Sequence, residues 1–225
     1  MVDLLILVAF SLFSGVFSLG EKELLSFKRM PTTPAPTRFF HTSKNVSTIL
    51  EMKHNKHLQK GLTINTINYI VTVTLGSRNL TVIVDTGSDL SLVQCQLWRL
   101  CYTQPEHLFN PLVSPSYILV QCESQPCHTL SSNTGNSGLC ESNVPKCNYA
   151  VIYGGGSYTR GELGRDRLTL GNTPVDNFVF RCGRNNRGLF GAASGLMGLG
   201  RSDLSLISQT SNVFGGVFSY LFARF

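Results

Sequence analysis

The chain has 225 residues, room for one large domain or two small ones, and it shows no heptads or internal repeats. Only 14% of the residues are charged, 42% are hydrophobic and 21 are glycine, which suits a turn-rich β protein better than a helical bundle. The formal net charge is +6, so an acidic, solvating chain is excluded.

Leu4 to Leu19 is apolar apart from serines and a glycine, and small residues near Ser18 and Gly20 offer a cleavage site. Residues 1–20 therefore read as a secretory signal peptide. The run is too short for a comfortable membrane span, although Asp3 and the lack of Lys or Arg before it leave an uncleaved anchor as the alternative. Residues 21–61 hold eight basic residues against three acids, so most of the positive excess lies there, with Pro31, Pro34 and Pro36 near the start. Charge alone would suggest a nucleic-acid arm. The secretory route and the lack of an aromatic stacking platform argue for a basic pro-segment or linker instead, and no nucleic-acid partner is expected.

Cysteine usage agrees with export. Cys95, Cys101, Cys122, Cys127, Cys140, Cys147 and Cys182 crowd one region, with no C-x-x-C pair of the kind zinc ribbons use. A disulfide framework follows, with at least one thiol left over because seven is odd. Asn45-Val46-Ser47 and Asn79-Leu80-Thr81 are sequons for glycosylation.

From Asn68 onward the pattern is short strands and turns, predicted over 69–75, 80–85, 90–94, 148–153, 162–170 and 177–182. Tyr69 to Leu75 alternates aromatic or branched residues with Thr, and Gly76 to Asn79 supplies a hairpin turn. Residues 102–147, rich in Ser, Pro, Asn and Cys, read as an irregular excursion held by disulfides. The fold class is all-β.

One acid stands out. Val82-Ile83-Val84 is a continuous apolar run of the kind found in strands buried on both faces, and it delivers the carboxylate of Asp85 at the end of a core element. Asp and Gly are common turn residues, which would explain Asp85-Thr86-Gly87-Ser88 without any chemistry. An acid at such a place is nonetheless costly unless it is hydrogen-bonded or shares a proton.

V-D-T-G-S at 84–88, Y-G-G-G-S-Y-T-R-G at 153–161 and G-L-M-G-L-G at 195–200 together resemble the N-terminal lobe of pepsin-like aspartic proteases. Q-C at 94–95, F-N-P at 109–111, G-R-N-N-R-G-L-F at 183–190, S-L-I-S-Q at 205–209 and F-S-Y at 218–220 are similar to the plant branch that includes the nepenthesins. The resemblance implies one β-barrel lobe of a bilobal fold over 62–225 and peptide-bond hydrolysis at acid pH. Asp85 would be one of two carboxylates that share a proton and activate a water, with no acyl-enzyme. Thr86, Gly87 and Ser88 would support it; Tyr153, Gly154, Gly156 and Ser157 would form a flap over a polypeptide substrate, with Gly155 in its bend. Leu196-Met197-Gly198 would cross the catalytic loop, a role also compatible with a plain core strand. Carrying over the branch's pairing implies Cys101–Cys182, Cys122–Cys147 and Cys127–Cys140, with Cys95 free. No cofactor or metal is expected.

The departures from the pattern carry information as well. Leu92 stands where the family has a Trp whose indole N–H hydrogen-bonds the flap tyrosine, Trp98 replaces a Cys, and Arg181 replaces the first Gly of F-G-C-G. Leu221 stands where a Cys often follows F-S-Y. These 225 residues contain no second Asp-[Ser/Thr]-Gly, so a complete dyad needs a C-terminal lobe or a second copy of the chain. A protease-like binding module of the xylanase-inhibitor type and a self-pairing lobe are the alternatives to an aspartic endopeptidase. The expected compartment is the secretory pathway, ending in the cell wall, the extracellular fluid or the vacuole.

Overall fold

The computed structural model describes residues 25–28, 59–97, 99–134, 139–141, 144–153, 156–188 and 190–220. The expected signal peptide, the sequon at Asn45 and the expected flap residues Gly154 and Gly155 lie outside them. Within the expected pro-segment, β1 (Leu25–Lys28) is a strand, and it is followed by the short β2 (Gln59–Lys60).

Tyr69 to Leu75 forms β3 (Tyr69–Leu75), joined through Gly76 at φ 56° to β4 (Arg78–Asp85) as an antiparallel hairpin. Glycine accepts this left-handed backbone without steric cost. Then follow β5 (Leu92–Gln94), β6 (Ile118–Leu119), β7 (Leu139–Glu141), β8 (Val144–Ile152), β9 (Tyr158–Leu170), β10 (Thr173–Arg187), β11 (Gly195–Gly198) and β12 (Val217–Tyr220). β12 pairs antiparallel with β1. The predicted strands are all present, several of them longer than expected; β9 and β10 form a long bulged hairpin. Asn79, the second sequon residue, is exposed on β4, and its Oδ1 accepts from Thr74 Oγ1 at 2.7 Å.

Ring closure organises the lobe. β3 pairs with β4, β4 with β11, β11 with β5, β5 with β10, β10 with β9, and β9 returns to β3, so six strands close on themselves and lose their free edges. Successive residues of these strands enter two separate cores. On β4, Val82 packs with Phe109, Phe178, Phe180 and Met197, whereas Ile83 packs with Leu92, Tyr149, Leu163 and Leu196. This is why 82–84 has no polar alternation: both faces of the strand are covered.

Close backbone approach makes one glycine indispensable. A Cβ on Gly195 of β11 would stand 1.8 Å from the Leu92 carbonyl oxygen of β5. Backbone cannot move aside as a flexible side chain can, so Gly195→Ala should destabilise the lobe by about 3 kcal/mol. A lowered midpoint in urea unfolding would show it.

The excursion differs from its expected irregular form. Gln125–Thr134 is a helix, α1, beginning directly after Ser124. Its weakly amphipathic Ser, Thr and Asn content hid it from pattern reading. α1 carries Cys127 onto the buried Cys147 of β8, so the pairing is Cys127–Cys147, and Cys122 joins Cys140 from β7. The expected pairs Cys122–Cys147 and Cys127–Cys140 are thereby corrected. So is Cys101–Cys182. β5 runs parallel to β10 with Val93 beside Cys182, and the Cys95 N–H donates to the Gly183 carbonyl, which sets Cys95 and Cys182 5.5 Å apart at Cα. Cys101 follows Leu100, which already bridges to Asn185 further along β10, and Cys101 is the free thiol. Burial pushes that thiol's pKa up.

Candidate active site

β4 ends at Asp85 because the chain turns there into its own carboxylate. Asp85 Oδ1 accepts the Gly87 N–H at 2.9 Å, and Oδ2 accepts the Ser88 hydroxyl at 2.5 Å. Both oxygens are thus oriented by groups within three residues, an Asx-type arrangement that a side chain at Gly87 would crowd, since its Cβ would meet Oδ1 at 3.3 Å. Thr86 is exposed beside it.

The loop is clamped from the far side by β11. Gly198 is the parallel register partner of Asp85, the Leu199 N–H donates to the Asp85 carbonyl at 2.8 Å, and the Gly200 N–H donates to the Ser88 carbonyl at 3.0 Å. Ser91, which sequence reading passed over, accepts the Gly198 N–H at 3.1 Å while its own hydroxyl faces Met197 Sδ. A Cβ on Gly198 would lie 2.2 Å from the Asp89 carbonyl oxygen, so Leu196-Met197-Gly198 is both a core strand and a support for the aspartate loop.

Tyr153 follows β8 and opens the turn into β9. Its N–H donates to the Ser157 carbonyl at 2.8 Å, and the Gly156 N–H donates back to the Tyr153 carbonyl at 3.0 Å, with Gly156 at φ 74°. Ser157 is buried, and Gly188 passes so close that a Cβ there would meet Ser157 Oγ at 2.1 Å. The Tyr153 ring stands edge-on to Phe190, with centroids 5.8 Å apart, and Phe190 stacks on Tyr102 at 5.1 Å. Burial raises the Tyr153 phenol pKa; the Arg181 guanidinium opposes that rise, and Asp85 is near enough to add to it. The phenol therefore stays a neutral hydrogen-bonding group at acid and neutral pH. The aspartate loop and the turn that begins at Tyr153, separate motifs in sequence, share one neighbourhood.

Below them runs a buried polar chain that the sequence did not announce. Tyr149 Oη and Thr159 Oγ1 are 2.8 Å apart, and Thr159 donates to Asn186 Oδ1 at 2.6 Å. Gln94 Nε2 donates to Gln104 Oε1 at 2.7 Å and to the Tyr102 carbonyl at 3.0 Å. A satisfied network of this kind fixes the strands that carry it in one arrangement. The sulfurs of Cys122, Cys127 and Cys140 lie within 4.8 Å of one another, but all three are in disulfides and offer no thiolate to a metal. Among the described residues no helix is long and apolar enough to cross a membrane.

A family model described as "Xylanase inhibitor N-terminal" matches residues 69–224. The chain belongs to this family, as the N-terminal lobe of a plant pepsin-like protein. Its relatives include an aspartyl protease family protein of Arabidopsis thaliana, 46% identical over 184 residues that cover 80% of this chain and 37% of that protein. Aspartic proteinase nepenthesin-1 of Nepenthes gracilis is 41% identical over 144 residues, covering 63% of this chain and 31% of the relative. Nepenthesin-2 of the same plant is 38% identical over 155 residues, covering 68% and 33% respectively. This pepsin-like lobe thus spans about a third of the length of these relatives. Among solved structures, basic 7S globulin from soybean superposes with a TM-score of 0.49 at 23% identity, covering 70% of this chain and 42% of that one.

Proposed function

We propose that this lobe supplies the first catalytic aspartate and the flap of an aspartic endopeptidase that works at acid pH in the secretory pathway. The observation that carries the reading is the Asp85 carboxylate, oriented by Gly87 and Ser88 at the end of a doubly buried strand and backed by Gly198. Such a carboxylate can accept the proton of a water held between it and a second, protonated carboxylate, which in turn donates to the carbonyl oxygen of the scissile peptide. With two carboxylates so close, ionising one opposes ionisation of the other, so the singly protonated pair persists across a range of acid pH, and activity requires that state.

The second carboxylate comes from a C-terminal lobe or from another copy of the chain. Thr86, exposed beside Asp85, would hydrogen-bond across that interface. Tyr153 would lie over a polypeptide substrate, its neutral phenol available to the peptide backbone.

The test joins the 225-residue chain to the C-terminal lobe of its 46%-identical Arabidopsis relative and measures cleavage of an unfolded protein substrate at acid pH. Acid-dependent cleavage is expected from the joined protein, and none from the chain alone. A folded joined protein without peptidase activity would overturn the proposal.

A second reading, a binding module that occludes a glycosidase cleft, is favoured by the description of the matching family and by Leu92 beneath the flap. The intact carboxylate geometry has no use in such a module. Inhibition of a xylanase by the unjoined chain would bring that reading forward, and cleavage by the unjoined chain that rises with the square of its concentration would point to a self-pairing lobe.

A further inference from the structure

Among the described residues, Arg181 is the largest side chain buried almost completely, at 1% exposure. It sits in the middle of β10, with Leu92 of β5 on one side and Leu163 of β9 on the other, and its own N–H donates to the Ser91 carbonyl at 2.8 Å. The guanidinium Nη2 donates to the Leu90 carbonyl, while Nε has no hydrogen-bond partner. No carboxylate of the described residues forms an ion pair with it. A buried cation left in this condition is costly, and the surrounding groups must compensate.

Two aromatic faces do so. The guanidinium carbon lies 5.7 Å from the ring centroid of Tyr149 and 5.9 Å from that of Tyr153, within range of cation–π attraction strengthened by desolvation. The two tyrosines differ in one respect. Tyr149 has its hydroxyl engaged with Thr159, whereas the buried Tyr153 hydroxyl makes no hydrogen bond of good geometry and has the Arg181 guanidinium within hydrogen-bonding influence. An N–H donor on Arg181 and the phenol of Tyr153 therefore belong to the same cluster.

The sequence supplies an independent observation. Leu92 and Arg181 are both positions where the chain departs from the family pattern, and they are direct register partners on β5 and β10. Their side chains occupy the same layer as Tyr149, Tyr153 and Phe190. Where Leu92 offers no hydrogen-bond donor to the flap, the neighbouring strand brings five N–H groups on one planar fork.

We propose that Arg181 is the positioning residue of Tyr153: its guanidinium holds the Tyr153 ring from one side, and its N–H fork is the donor that orients the Tyr153 hydroxyl. The inference rests on the reading of Tyr153 as a flap residue, but its test does not depend on peptidase activity.

Amide hydrogen exchange of the 225-residue chain provides that test, comparing wild type with Arg181→Met and Arg181→Lys. Met keeps the bulk and removes charge and donors; Lys keeps the charge and one donor group but not the fork. In Arg181→Met, the Tyr153 and Gly156 amides should exchange on the order of tenfold faster, with amides of β3 and β4 unchanged, and Arg181→Lys should recover about half of that change on a logarithmic scale. Flap amides that exchange at the wild-type rate in Arg181→Met, or exchange that rises equally in flap and barrel, would overturn the proposal. Should Arg181→Met fail to fold, Arg181→Lys decides alone: faster exchange confined to the flap supports the assignment, and a uniform rise or no change contradicts it. If the joined protein of the preceding section proves inactive while these exchange results hold, the flap assignment stands and only the catalytic reading falls.

Discussion

Asp85→Asn in the joined two-lobe protein is expected to lower kcat/KM about 10⁴-fold, equivalent to about 5 kcal/mol of transition-state stabilisation. The amide is nearly the same shape as the carboxylate. Its oxygen can still accept the Gly87 N–H, and its NH2 can face the Ser88 hydroxyl oxygen, so the hydrogen bonds that end β4 survive in altered form. What Asn cannot do is accept a proton from water, nor can it share one with a second carboxylate. Stability should change by less than about 1 kcal/mol, because the site is only partly buried and the loop is held by backbone bonds to Leu199 and Gly200. Loss of activity with an unchanged unfolding midpoint separates a chemical role from a structural one. Activity retained within tenfold would mean that Asp85 is the turn residue its tripeptide also resembles.

Cys95→Ser is expected to cost about 4 kcal/mol, because the bridge to Cys182 closes a loop of 87 residues and restrains the unfolded chain accordingly. Both half-cystines are fully buried, so the substitution also leaves a hydroxyl and a thiol in apolar surroundings. Cys101→Ser, by contrast, should shift stability by less than about 0.5 kcal/mol, since Cys101 is a free and partly exposed thiol. The order of the two effects is the informative quantity. The pairing implied by the family resemblance would reverse it, making Cys101 costly and Cys95 neutral. Urea unfolding of both variants, with non-reducing peptide mapping of the wild type, checks the order and the connectivity together.

Why the barrel was legible and the disulfides were not follows from the range of the forces involved. Val82-Ile83-Val84 and the alternation of β3 are local signals, and burial on one or both faces writes them directly into residue type. The aspartate loop was legible for the same reason, since Asp85, Gly87 and Ser88 complete their hydrogen bonds within four residues. Cystine pairing depends on which strands become neighbours. The parallel β5–β10 register that aligns Cys95 with Cys182 joins residues far apart in the chain, and the helix that delivers Cys127 to Cys147 is too polar to show a periodic face. Ser91 and Tyr102 were invisible on the same grounds, and Phe190 was seen only as the end of a motif: each gains its role only once β11 and the turn at Tyr153 fold against it. Arg181 gave a signal only as a departure from the family pattern, and the departure acquires meaning through its partner Leu92.

The proposed role of this lobe in acid proteolysis is tested most directly by the pH profile of kcat/KM for the joined protein, with and without Asp85→Asn. A shared-proton dyad predicts a bell confined to acid pH: activity is lost at the low end as both carboxylates become protonated and lost toward neutrality as both ionise, and Asp85→Asn flattens the whole curve. A profile that peaks at or above neutral pH, or an acid bell that survives Asp85→Asn, would contradict the account.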